Sequence, residues 1–176
     1  MFNVILPRVL WIIGLILAHT LVFNHIHLMG YATPMPYVYA LIILPHGTAR
    51  WIYVVLGFCI GIVIDILSNT VGAAAAAVPV ISLTLVGLVT PLLLRTFTPD
   101  DKLEEEFTPS IKTMQWGGFL KFAVVVTLIH TLVFFLLETF SLFDAIEILI
   151  KVGSSTALTV IFMMTFEKLR NTSRNT

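Results

Sequence analysis

The sequence predicts an all-α membrane protein: a polytopic bundle of six transmembrane helices in one domain spanning 1–176. Three observations lead there. Hydrophobic residues make up 58% of the chain, and charged residues only 11%. The mean hydropathy is +0.99. The apolar residues fall into six runs that approach the length needed to cross a bilayer. A soluble domain keeps about a quarter of its residues charged, so this chain lacks the polar surface to dissolve. The formal net charge is zero, which points away from nucleic acid as a partner. Cys59, the single cysteine, has no internal disulfide partner.

A hydrocarbon core of about 30 Å needs about 20 helical residues. The first run covers 6–23. It begins near Arg8 and is followed by Asn24-His25-Ile26-His27 rather than a small-residue cleavage site, so it reads as a retained span. The second, 31–45, is shorter, with Pro34 and Pro36 in its opening turn, where proline is tolerated. The third covers 51–67. The fourth covers 74–94, with Pro79 near its start and Pro91 near its end. The fifth and sixth cover 117–137 and 146–166. Apolar residues lie on most faces of each, as expected for helices buried or facing lipid.

Placing both termini in the cytoplasm puts nine of the ten basic residues on the inside, leaving Lys151 near the outer face. The expected outer loops, near 24–30, 68–72 and 138–145, hold no Lys or Arg. If the second run only dips into the membrane, five helices cross and the N-terminus moves outside. The turn Pro45-His46-Gly47-Thr48-Ala49-Arg50 stops one span and anchors the next at the headgroups. The stretch 96–116, with Asp100, Asp101, Glu104, Glu105 and Glu106, reads as a solvated cytoplasmic loop or as an acidic contact for a cytosolic partner. The tail from Lys168 is short, polar and mildly basic, suited to an inner-leaflet anchor.

Asp65 is the most conspicuous polar residue. Gly57, Gly61 and Asp65 are four apart and share one stripe of a helix. The glycines allow close approach of a neighbour. An acid facing lipid at mid-bilayer costs roughly 2.5–3.5 kcal/mol, so the stripe should turn into protein. Asp65 then grips a partner, ligand or ion, or it bonds Ser68, Asn69, Thr70 or a neighbouring helix. Counting along the spans puts His19 and His130 at a depth similar to Asp65. A His19–Asp65–His130 cluster would suit proton-coupled or metal chemistry; otherwise each histidine bonds a nearby backbone or hydroxyl. No two histidines have the i, i+4 spacing of a helical metal motif; His25 and His27, two apart on an expected outer loop, could chelate a metal on extended backbone but read as a solvated pair. Small residues at Gly14/Ala18, Ala73/Ala77 and Gly153/Ala157 repeat the close-packing pattern. No nucleophile, zinc or nucleotide motif is present, so no catalytic, cofactor or metal site is expected.

The run Leu44-Pro45, Arg50-Trp51, Gly57-Phe58, Gly61, Asp65 and Gly72-Ala73-Ala74 resembles the signature region of the MreD family of rod shape-determining membrane proteins. So do Arg95-Thr96-Phe97-Thr98-Pro99-Asp100, His130 and Phe134-Phe135-Leu136-Leu137-Glu138. Size, span number and short loops extend the resemblance over nearly the whole chain. It implies a non-enzymatic inner-membrane component of the bacterial cell-elongation machinery. The partners it implies are MreC, the MreB cytoskeleton, and a RodA-type glycan polymerase with its transpeptidase. It also implies a fold similar to the substrate-binding (S-component) subunits of energy-coupling-factor transporters. Gly57, Gly61, Asp65, Gly72, His19 and His130 are the expected helix-contact or partner-contact residues. The alternative reading is a vitamin-binding membrane subunit with a pocket near Asp65. An intramembrane enzyme built on the two histidines and Asp65 is the third.

Overall fold

The computed structural model describes residues 2–23, 32–68, 78–98, 107–139 and 145–173. Helix dominates, and no strand occurs among the described residues. The long helices are α1 (Phe2–Leu21), α3 (Arg50–Leu67), α4 (Val78–Phe97), α5 (Ile111–Thr139) and α6 (Ala145–Ser173). Four of them, α3 to α6, are long and apolar enough to cross a membrane, and α1 carries a shorter apolar stretch, Leu6–Leu21. Their outward residues, such as Leu10, Phe58, Leu88, Leu128 and Ile161, are large, apolar and exposed. On a soluble protein such a surface would drive aggregation; in a bilayer it faces lipid of matching polarity.

The second run departs from expectation. In place of a helix over 31–45, extended backbone leads into a 3-10 turn, Pro36–Val38, and then a four-residue helix, α2 (Tyr39–Ile42). Proline explains part of this. Pro34 and Pro36 have no N–H to give, and each biases the residue before it toward extended backbone. Burial explains why the membrane tolerates it. Irregular backbone survives at membrane depth only where protein encloses it. Every residue from Pro34 to Ile43 is buried, and Val38 through Ile42 are completely so.

This central segment runs along α6. The Thr33 N–H donates to Ser155 Oγ at 3.0 Å, and the Met35 N–H to Thr159 Oγ1 at 2.9 Å. The Tyr39 hydroxyl donates to the Glu167 carboxylate. Ser155, Thr159 and Glu167 are multiples of four apart and share one face of α6, with the fully buried Met163 between them. Side chains thus supply the hydrogen bonds that a regular helix would have made internally.

The remaining architecture follows from close packing. α3 and α4 form the most extensive pair, and α5 packs on both α4 and α6. The Gly57–Gly61 stripe lies directly on α4, as expected. A Cβ on Gly57 would fall 2.5 Å from the Leu83 carbonyl oxygen, and one on Gly61 2.5 Å from Val80 Cα. Gly87 returns the contact from α4, its missing Cβ facing the Tyr53 carbonyl oxygen. The other two described small-residue pairs turn away from the interior. Gly14 and Gly153 are exposed and have open space where a side chain would project. Ala73 and Ala77 lie outside the described residues.

One end of the bundle gathers distant pieces of chain. Arg8 donates to Thr108 Oγ1 at 3.2 Å, and the His46 N–H to the Phe107 carbonyl at 2.7 Å. Arg170 donates to the Pro109 carbonyl at 2.9 Å. The start of α1, the end of the central segment and the end of α6 therefore meet the linker that leads into α5. That linker turns sharply. Ser110 Oγ accepts the Thr113 N–H at 3.1 Å, and Gln115 sits at φ 61°, ψ 163° before the main helix begins. A side chain rarely adopts that backbone conformation.

Candidate functional site

Among the described residues, two clusters of buried polar side chains are built on the central segment. Its two tyrosines, Tyr37 and Tyr39, flank Val38, and each reaches a different cluster.

The first cluster is His19, Tyr37 and His130. His19 comes from the last turn of α1, and His130 from the middle of α5. The Tyr37 hydroxyl and His130 Nε2 are 3.0 Å apart. The His19 ring meets the Tyr37 ring edge-on, with centroids 4.4 Å apart. All three are buried. Nearby, Thr131 and Thr156 exchange a hydroxyl hydrogen bond at 2.7 Å, tying α5 to α6. The Nδ1 atoms of both histidines are buried without a hydrogen-bond partner. The backbone of Pro34 lies close to His19 and that of Ser82 close to His130. The two histidines that sequence depth brought together thus share Tyr37.

Asp65 takes another place. It is half-buried near the C-terminal end of α3, and the described contacts of His19 and His130 run through Tyr37 rather than through it. Among the described residues the two histidines and Asp65 do not form a group that could hold a metal ion. The Gly57–Gly61 face is spent on α4 two turns earlier. The carboxylate, one turn beyond Gly61, lies where α3 is about to end at Ser68. Gly72, His25 and His27 lie outside the described residues, as do the acids from Asp100 to Glu106.

The second cluster is Tyr39, Glu167 and Arg170. Glu167 is completely buried, and Arg170 is 6% exposed. Their ion pair measures 2.8 Å. The second carboxylate oxygen of Glu167 accepts the Ile111 N–H at 3.3 Å. The Arg170 guanidinium also lies over the Tyr39 ring, 5.7 Å from its centroid. A buried acid survives only when paired and hydrogen-bonded, and Glu167 has a cation, a phenol and a backbone amide. The sequence places the end of the sixth span at 166 and a polar tail from Lys168. Instead α6 continues to Ser173 and carries these two charges inside the protein. The available signal was an acid three residues before an arginine at the end of an apolar helix, the spacing of a helical ion pair.

Chemically, these groups restrain. Six side chains (Ser155, Thr159, His130, Tyr39, Glu167 and Arg170) bond to the central segment, to each other or to the linker before α5. Among the described residues no group of three or more His, Cys, Asp or Glu is placed to hold a metal ion. Comparison of the chain with protein-family models, curated proteins and solved structures returns no match.

Proposed function

We propose that the protein is a non-enzymatic scaffold of the bacterial cell-elongation complex, acting in the inner membrane with both termini in the cytoplasm. The supporting observation is how the two polar clusters and the Ser155 and Thr159 hydroxyls are used. They hold an irregular central segment in place, so the bundle presents a fixed outer surface to other membrane proteins. The resemblance to the MreD family supplies the biological setting. MreC is the proposed direct partner, with MreB and a RodA-type polymerase and its transpeptidase in the same assembly. The proposed topology has six passes, the central segment making the second, in a fold similar to the substrate-binding subunits of energy-coupling-factor transporters. The meeting of Arg8, Arg170 and the linker at one end supports an even number of passes.

With Gly57 and Gly61 occupied by α4, Asp65 and the outward small-residue face of α6 are the proposed partner contacts. The test is co-purification with MreC from cells whose shape is scored in parallel. Asp65→Leu and Gly153→Leu should each lower the yield of complex while the protein stays in the membrane. Normal yield and normal rods in both variants would overturn the assignment of these faces. Absence of MreC from the purified wild-type complex would overturn the function itself.

A further inference from the structure

A groove of about 350 Å³ runs between α1 and α6 on the outer surface, lined by Leu10, Trp11, Gly14, Leu15, Ala18 and Phe166. Its lining is apolar throughout. Gly14 forms the floor, where a side chain would meet no neighbouring atom within 4 Å. Trp11 and Phe166 meet edge-on with centroids 6.5 Å apart, making an aromatic wall.

Two arginines lie toward one end of this groove. Arg8 lies three residues before Trp11 and seven before Leu15, on the lining face of α1. Arg170 lies one turn past Phe166 on α6. The two guanidiniums bond to adjacent linker residues, Arg8 to Thr108 and Arg170 to Pro109. Arg170 Nε is buried without a partner in the protein. Glu167, the acid on this end of α6, is fully buried and engaged with Arg170, Tyr39 and the Ile111 N–H. A guanidinium offers five donors in a fork suited to phosphate, so it can hold a neighbour such as Thr108 and a phosphate oxygen together.

We propose that this groove is a binding site for an anionic phospholipid, one acyl chain lying over Gly14 and the phosphate meeting Arg8. The apolar trough matches a hydrocarbon chain, and the Arg8 guanidinium toward its end matches a negative headgroup. The proposal rests on the membrane placement of the helices and not on the cell-elongation reading, so either can fail alone.

Native mass spectrometry of the full chain, loaded with phosphatidylglycerol or phosphatidylcholine, tests it. One phosphatidylglycerol per chain should be retained about fivefold over phosphatidylcholine, the discrimination expected of a single basic contact. Arg8→Gln should bring the two lipids level. Gly14→Leu should lower retention of both by filling the trough, and Ala18→Leu repeats the test if that variant misfolds. Equal retention of the two lipids by the wild type overturns the proposal. So does unchanged retention in folded Gly14→Leu and Ala18→Leu. Loss of a co-purifying membrane protein from these variants, with lipid retention unchanged, makes the groove a helix-docking site instead.

Discussion

Tyr39 and Glu167 are 128 positions apart in sequence, and the phenol of one donates directly to the carboxylate of the other. This bond fixes the centre of the bundle to the far end of α6. It also completes the setting of the Glu167–Arg170 pair, whose charges are otherwise costly to bury.

Arg170→Met should leave Glu167 buried without its cation and cost about 3–5 kcal/mol. Adding Glu167→Gln should restore a large part of that loss, because no bare charge then remains. Thermal unfolding of the purified variants in detergent measures both. A double variant no more stable than the single one would contradict the burial of this acid.

Tyr37→Phe removes the hydroxyl that reaches His130 Nε2. The imidazole, already lacking a partner at Nδ1, would then lose its hydroxyl partner at Nε2. The expected cost is about 1–3 kcal/mol, seen as a lower unfolding temperature. Tyr37→Phe combined with His130→Leu should cost less than the separate losses added together.

The three described small-residue faces should respond differently to one methyl group. Gly57→Ala and Gly61→Ala push into α4 backbone and should destabilise by about 1–3 kcal/mol. Gly153→Ala meets open space and should be neutral, or stabilising by up to about 1 kcal/mol through helix propensity. Equal effects at Gly57 and Gly153 would refute the packing of α3 on α4.

Gln115 holds a backbone conformation suited to glycine. Gln115→Gly should raise stability by about 1 kcal/mol, and Gln115→Val should lower it, because a β-branched residue fits that region worst. Unfolding temperatures of the pair should therefore move in opposite directions.

The sequence by itself determined the membrane class and the positions of the long helices. Hydropathy is a property of consecutive residues, so the expected 51–67 matches Arg50–Leu67 and the expected 146–166 falls within Ala145–Ser173. The Gly57–Gly61 contact was legible too, since a four-residue spacing places both on one face whatever the neighbour is. Only the tertiary structure decided how 31–45 crosses the interior and which acid is buried. The central segment is irregular because Ser155 and Thr159, more than 120 positions away, satisfy its backbone. Asp65 and Glu167 look alike as single acids near apolar runs, and Asp65 sits deeper in its run. Burial depends on what packs against each. Glu167 meets Tyr39, Arg170 and Ile111, brought together by three separate elements, and no local pattern encodes that meeting.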